Sequence, residues 1–266
     1  SYAGEITIPA TVSYQGKTYA VTEIAPRAFY GTSIDILRLP AGIKSIPTEM
    51  AANCQNLVSV GLPDHLETIG VRAFYDSPNI RFIRCVNSGV PAFTATDESS
   101  YGEAFSTSIW PDCMLAIPGS MYANYRQANG WSNFRSYAYW HDTDVSPDSV
   151  VFTGKFSGEE RKVRTLTPVV YPSNALILNY VVRNSNPEAV SFATGKDDQG
   201  KTVLLASLLK VGEADVTVYM NLVKSSFHIS VSVYTGVEGV DGDDEEARYF
   251  TLEGLEVARP QKGVMY

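Results

Sequence analysis

The sequence predicts a mainly β protein: a short solenoid of stacked repeats followed by a β-sandwich. Three observations carry this. A period of 23 residues runs through the first half, where Leu39-Pro40 returns as Leu62-Pro63, Ile43-x-x-Ile46 as Leu66-x-x-Ile69, and Asn56-Leu57 as Asn79-Ile80. Short β-favouring runs separated by turn residues then fill 150–234. The composition suits two folded units, since 266 residues amount to about two domains of roughly 150 each. Hydrophobic residues make up 44% and charged residues 19%, ample for ordinary cores. No run of about 18 apolar residues is present to span a bilayer as a helix.

The repeat begins upstream of its clearest copies. Ile8-Pro9, Val21-x-x-Ile24 and Ala28-Phe29 follow the same pattern, and Ala73-Phe74 echoes the last. Pro9 and Pro40 lie 31 residues apart instead of 23, which places extra residues around Gly16-Lys17. One such unit cannot bury its own apolar face, so neighbouring units must stack. Each supplies a short strand, as in Leu57–Leu62, a turn as at Pro63-Asp64, and a second apolar stretch, Leu66-x-x-Ile69. The proline closes its strand, where a missing N–H costs least. An Ala-Phe pair caps the coil, with Met50-Ala51 in its place in the middle copy. Ile117-Pro118 ends the series after an insertion at 87–112.

The stretches "LPAGIKSIPTEMAANCQNLVSV", "LPDHLETIGVRAFYDSPNIRFI" and "LAIPGSMYANYRQANGWSNFRSY" carry a resemblance. From about Ile6 to Phe134 the chain resembles the BspA-like leucine-rich repeats of bacterial surface proteins. The resemblance implies a leucine-rich-repeat solenoid, whose last coil Tyr122, Tyr125, Trp131 and Phe134 seal on a short helix, and a location outside the cell or on a bacterial cell surface. It also implies adhesion to a host matrix protein, to another cell or to a glycan. The expected organisation is a repeat domain with its cap at 1–143, a sandwich at 144–235, an acidic linker at 236–248 and a terminal element at 249–266.

Composition shifts near His141–Pro147, after which "VVF", "KVRTL", "LILNYVV", "AVSF", "VLLASLL", "DVTVYM" and "FHISVSVY" read as strands. "YPSN", "NSNPEA", "KDDQG" and "KVGEAD" supply the turns between them. This region has no Cys, hence no inter-sheet disulfide. "SNPEAVSF" and "LKVGEADVTV" resemble bacterial immunoglobulin-like domains of the group 2 type, which implies an immunoglobulin-like β-sandwich. Next, Glu238, Asp241, Asp243, Asp244, Glu245 and Glu246 supply most of the net charge of −8. They read as an extended, solvated linker, because the calcium-loop spacing is missing. In the closing "YFTLEGLEVARPQKGVMY", Tyr249–Leu252 and Leu255–Val257 are expected to pair as a hairpin. The segment is similar to a short C-terminal motif of secreted proteins from bacteria with BspA-like repeats, which implies sorting or anchoring. The alternative is a hairpin docked on the sandwich.

Several chemistries are excluded or left without residues. An acidic chain is not a general nucleic-acid binder. Three cysteines, Cys54, Cys85 and Cys113, form neither a disulfide framework nor a CxxC metal pair. Cys54 and Cys85 read as structural, Cys85 as a small buried hydrophobe, and they occupy different repeat positions and should not meet, whereas Cys113, just before the last repeat strand, is left open to a disulfide. His65 and His228 read as ordinary turn and strand residues, and His141 in "HDTD" sits in a linker too loose to hold a metal. GxSxG, GxxxxGK[ST] and a GxGxxG following a strand are all missing. The expectation is a non-enzymatic protein without catalytic residues, metal or cofactor, whose partner is an extracellular protein or glycan.

Candidate binding residues come from strand alternation. With Leu37, Val60 and Ile83 facing inward, Arg38, Gly61 and Arg84 form one outward column, and Ile36, Ser59 and Phe82 another. Ile36, Arg38, Phe82 and Arg84 are therefore expected on an exposed recognition face, since aromatic and Arg side chains favour binding sites. The insertion adds Phe93, Tyr101, Phe105 and Trp110, aromatic residues in a polar loop suited to protein contact or sugar stacking. Two other readings stand beside binding. A structural spacer predicts that Phe82 and the insertion aromatics are buried. A glycan hydrolase requires two carboxylates facing each other across a cleft, about 5–10 Å apart.

Overall fold

The computed structural model describes residues 2–94 and 104–234, with the backbone of 249–250 and 256–257. Tyr101, the acidic segment 236–248 and most of 249–266 lie outside the described residues.

The 23-residue period becomes a strand register. β1 (Ala3–Thr7) is followed by a small hairpin of β2 (Thr11–Tyr14) and β3 (Lys17–Ala20), which holds the extra residues around Gly16. β4 (Ser33–Arg38), β6 (Ser59–Gly61) and β8 (Phe82–Arg84) then stack in parallel. Leu37 pairs with Val60 and Val60 with Ile83, as the spacing predicts. β10 (Met114–Pro118) and β11 (Ser136–Trp140) complete a six-stranded sheet in the order β1-β4-β6-β8-β10-β11. The second apolar stretch of each coil forms a smaller parallel sheet of β5 (Ser45–Ile46), β7 (Thr68–Ile69) and β9 (Ala92–Phe93). Leu37, Val60, Ile83 and Leu115 face Ile46 and Ile69 across one core.

One irregularity changes the outer face. The register of β1 against β4 steps from Gly4↔Ile34 to Glu5↔Ile36, so Asp35 is the extra residue of a bulge. Bulges re-aim side chains. Ile34 joins the core, whereas Ile36 belongs to a separate cluster on the opposite face, and the Asp35 carboxylate also lies there.

The insertion at 87–112 folds back into the repeat core. β9 pairs with β7, and Phe74 N–H donates to the Ala104 carbonyl at 2.7 Å. Phe105 stacks on Phe74 with ring centroids 5.1 Å apart and meets Phe134 edge-on at 5.7 Å. Phe93 stacks on Trp131, also at 5.1 Å, and Trp110 packs against the same core. The short helix α1 (Tyr122–Gln127) closes the stack. Tyr125, Trp131 and Phe134 are buried beneath it, and the Trp131 indole N–H donates to the Pro91 carbonyl at 2.7 Å. Tyr122 departs from the expected seal. It is exposed and packs edge-on against Tyr137 and Tyr139. All three cysteines are buried free thiols. Burial pushes the Cys85 thiol up to about 12 despite its contact with the Tyr125 hydroxyl.

The second half is two four-stranded sheets sharing one core. β12 (Ser149–Gly154), β14 (Val163–Tyr171), β17 (Thr202–Leu208) and β16 (Val190–Lys196) form one sheet. β13 (Ser157–Glu159), β19 (Val223–Ser232), β18 (Gly212–Met220) and β15 (Val181–Asn184) form the other. Leu166, Leu204 and Ala206 meet Val216, Val218 and Ile229 between them. β13 has no counterpart among the predicted strands. The run read as "LILNYVV" becomes a strand only from Val181. Its first part is tied instead to Asn221, which accepts from the Leu178 N–H at 2.9 Å and donates to the Leu176 carbonyl at 2.6 Å. At the C-terminus β20 (Tyr249–Phe250) pairs antiparallel with β21 (Glu256–Val257), the pairing expected of a hairpin.

Phe105→Ala is expected to lower the unfolding free energy of the chain by about 3–5 kcal/mol in urea denaturation, the cost of a large cavity in a packed aromatic core. Tyr139→Ala, at an exposed position, is expected to change it by about 0.5 kcal/mol or less.

Candidate binding surface on the repeat sheet

The sequence-predicted columns lie where the register puts them, but the outer face is not open. Ile36 and Phe82 are both 0% exposed. With Val58 and Ala116 they form a cluster that is completed by Tyr219 and Leu222 from the sandwich. β18 and β19 meet in a two-residue turn, Asn221-Leu222, and this tip is pressed onto the repeat sheet. Asn221 takes a left-handed φ of 54°, which Asn tolerates better than most residues. Gly61 makes room for the approach, because a Cβ there would lie 2.9 Å from Leu222 Cδ1.

The expected exposure of Ile36 and Phe82 is thus corrected by the second domain, which buries them. Phe105, 2% exposed, is buried for a different reason, as a core residue of the folded-back insertion. Phe93 and Trp110 are half-buried against the same core. Tyr101 lies outside the described residues. Arg38 and Arg84 remain partly accessible, one on each side of the tip.

Polar groups ring the docked tip. One Asp35 carboxylate oxygen accepts from the Tyr219 hydroxyl at 3.1 Å and pairs with the Lys224 ammonium. The other, Oδ1, is buried without a hydrogen-bond partner. Arg38 donates to the Leu222 carbonyl and pairs with Glu5. Arg183 donates to the Asn56 carbonyl at 3.0 Å, and its guanidinium lies 5.4 Å from the centre of the Tyr219 ring. Burial beside Asp35 pushes the Tyr219 phenol up to about 12.

A groove stays open along the loop ends of the strands. A cleft of about 300 Å³ lies between Arg38, Asp64, Arg84 and the connecting segment Ser146–Asp148. It adjoins a second of about 370 Å³, lined by Asp64, His65, Arg84, Trp140 and Asp144. Arg84 stands where the two meet. It pairs with Asp64 at 3.1 Å, lies 5.1 Å from the centre of the Trp140 ring, and keeps a buried Nε without a hydrogen-bond partner. Asp144 accepts from the His141 backbone N–H at 2.7 Å, and this contact, joined by the His141 ring, holds its carboxyl below the usual value. Among the described residues no group of His, Cys, Asp and Glu is placed to hold a metal ion.

Sequence reasoning found Arg38 and Arg84. It missed Asp35, Trp140, Tyr219, Leu222 and Lys224. Asp35 reads as an inward position until its bulge is seen, and the sandwich residues carry no signal of what their turn touches.

Residues 5–94 match the family model of the BspA type leucine rich repeat region, in 6 copies. The match covers the coils up to β9 and leaves the cap and the sandwich unassigned. No curated protein matches the chain. No helix among the described residues is long and apolar enough to cross a membrane.

The raised Tyr219 value links domain docking to pH. The docked state holds this phenol protonated above its ordinary value of 10.0, so its contribution is complete below pH 10 and is lost as pH rises toward about 12. Ultraviolet titration of the phenolates is expected to show a group of buried tyrosines, Tyr219 among them, ionising after the exposed ones, and Tyr219→Phe to remove one step from that group. Asp35→Asn is expected to move that step part of the way back.

Proposed function

We propose that this chain is an extracellular or cell-surface binding protein without enzymatic activity, attached by its repeat region to a protein or glycan of a host matrix or of another cell. The BspA-type match supports the reading, because such repeats typify surface adhesion proteins. The observation that carries it is the placement of Arg84. This side chain is held by Asp64 and Trp140 at the junction of two open clefts. Arg beside an aromatic ring is a common source of binding energy. In this reading the sandwich is an immunoglobulin-like module that sets the groove's outer wall through Leu222 and Ser146–Asp148. The terminal segment 249–266 serves in sorting or attachment.

A second reading is a rigid spacer within a surface assembly. The burial of Ile36, Phe82 and Phe105 favours it, since those residues are engaged in holding the chain together.

The test is a panel of matrix proteins and glycans passed over the immobilised whole chain, beside Arg84→Glu. Binding that falls about tenfold or more in the variant is the expected result, in keeping with a hot-spot Arg. Binding that is unchanged moves the site away from the groove. A panel with no binder supports the spacer.

A further inference from the structure

The outer face of the repeat sheet is closed by Tyr219 and Leu222 of the sandwich, with Leu178 and Val181 packed beside them. Neither Tyr219 nor Leu222 belongs to the core of either half. Lifting the sandwich away with its tip, Asn221 still bonded to Leu176, Leu178 and Asn179, would leave both cores intact. The contact is also polar at its rim. Asp35 is 8% exposed, and its Oδ1 is unpartnered although Oδ2 takes both Tyr219 and Lys224. A buried oxygen without a donor is a standing cost, and removing the tip would return it to water. Small, polar interfaces within a chain are those across which domains move.

We propose that the Asn221-Leu222 tip is a displaceable lid, and that the face beneath it binds a protein segment bearing an aromatic hydroxyl and a lysine arranged like Tyr219 and Lys224. The tip shows the chemistry that fits. A phenol donates to Asp35, an ammonium sits beside it, and a branched aliphatic side chain fills the space over Gly61. Ile36, Phe82 and Ala116 supply the apolar floor. The unused Asp35 Oδ1 is an acceptor that a partner with one more donor would satisfy and the tip does not. This surface shares Gly61 and the Leu222 wall with the first cleft of the Arg84 groove, but its occupant is recognised through Asp35 and not through Arg84.

Ser59 offers a reporter. It is 0% exposed, lies on the outer face between Ile36 and Phe82 in the strand register, and its hydroxyl has no hydrogen-bond partner. Ser59→Cys therefore places a thiol under the lid with little disturbance, while the buried Cys54, Cys85 and Cys113 report unfolding of the coils. In the folded whole chain, the new thiol is expected to react with a maleimide faster than the three native ones. Adding Leu222→Ala is expected to raise that rate by about tenfold or more, as for a locally opened segment. If that variant does not melt cooperatively, Leu222→Val takes its place. A cyclised peptide of residues 216–227 is expected to slow labelling again, and the same peptide with Tyr219→Ala and Lys224→Ala is not. Labelling of Ser59→Cys only as slow as the native thiols in every background overturns the lid. Fast labelling that the peptide leaves unchanged at millimolar concentration overturns the recognition of such a segment.

Discussion

A coil of this repeat has more apolar side chains than it can cover alone, and that deficit organises the first half of the chain. The only way to bury Leu37, Val60 and Ile83 is to lay one coil on the next in the same register. Backbone bonds then follow between coils at matching positions, as from Leu39 to Gly61 and from Leu62 to Arg84. The last coil has no successor, so its exposed end must be sealed. Tyr125, Trp131 and Phe134 do this together with Phe105, recruited from the insertion. Phe93, Phe105 and Trp110, which look like binding residues by composition, are consumed in closing the stack.

The same logic does not apply to the outer face. There the sheet presents Ile36, Val58, Phe82 and Ala116, and no further coil is available to cover them. The sandwich covers them with the Asn221-Leu222 turn and with Tyr219, Leu178 and Val181 next to it. The specificity of this contact comes from polar groups at the edge, with Asp35 facing Tyr219 and Lys224 and Arg38 reaching the Leu222 carbonyl. A buried charge pair adds little net stability over an apolar contact, but it penalises any register that leaves either charge alone. The β4 bulge is what delivers Asp35 to this place.

The groove differs in kind from the docked face. Its floor is made of loop ends, its charges are mixed, and its central Arg84 is already partly engaged by Asp64 and Trp140. Pre-positioning of this sort lowers the ordering cost of binding. The connection between the halves contributes Ser146, Pro147 and Asp148 to its rim, so the sandwich shapes the groove as well as capping the sheet beside it.

Much of the architecture was legible in the residues alone. The 23-residue period dictated strand order and pairing, because parallel stacking of equal coils admits one register for the apolar positions. Alternation within each strand separated Leu37 from Ile36 and Arg38 correctly, and turn residues marked most strands of the sandwich. Neither signal extends beyond its own segment. Periodicity states which side chains leave a sheet on the same side, and not what waits there. That Phe82 meets Leu222, that Phe105 stacks on Phe74, and that Asp35 turns outward are consequences of long-range packing between segments far apart in the chain. Whether an outward aromatic is a binding residue or a core residue was therefore decided by tertiary structure, because burial depends on neighbours that local sequence does not encode.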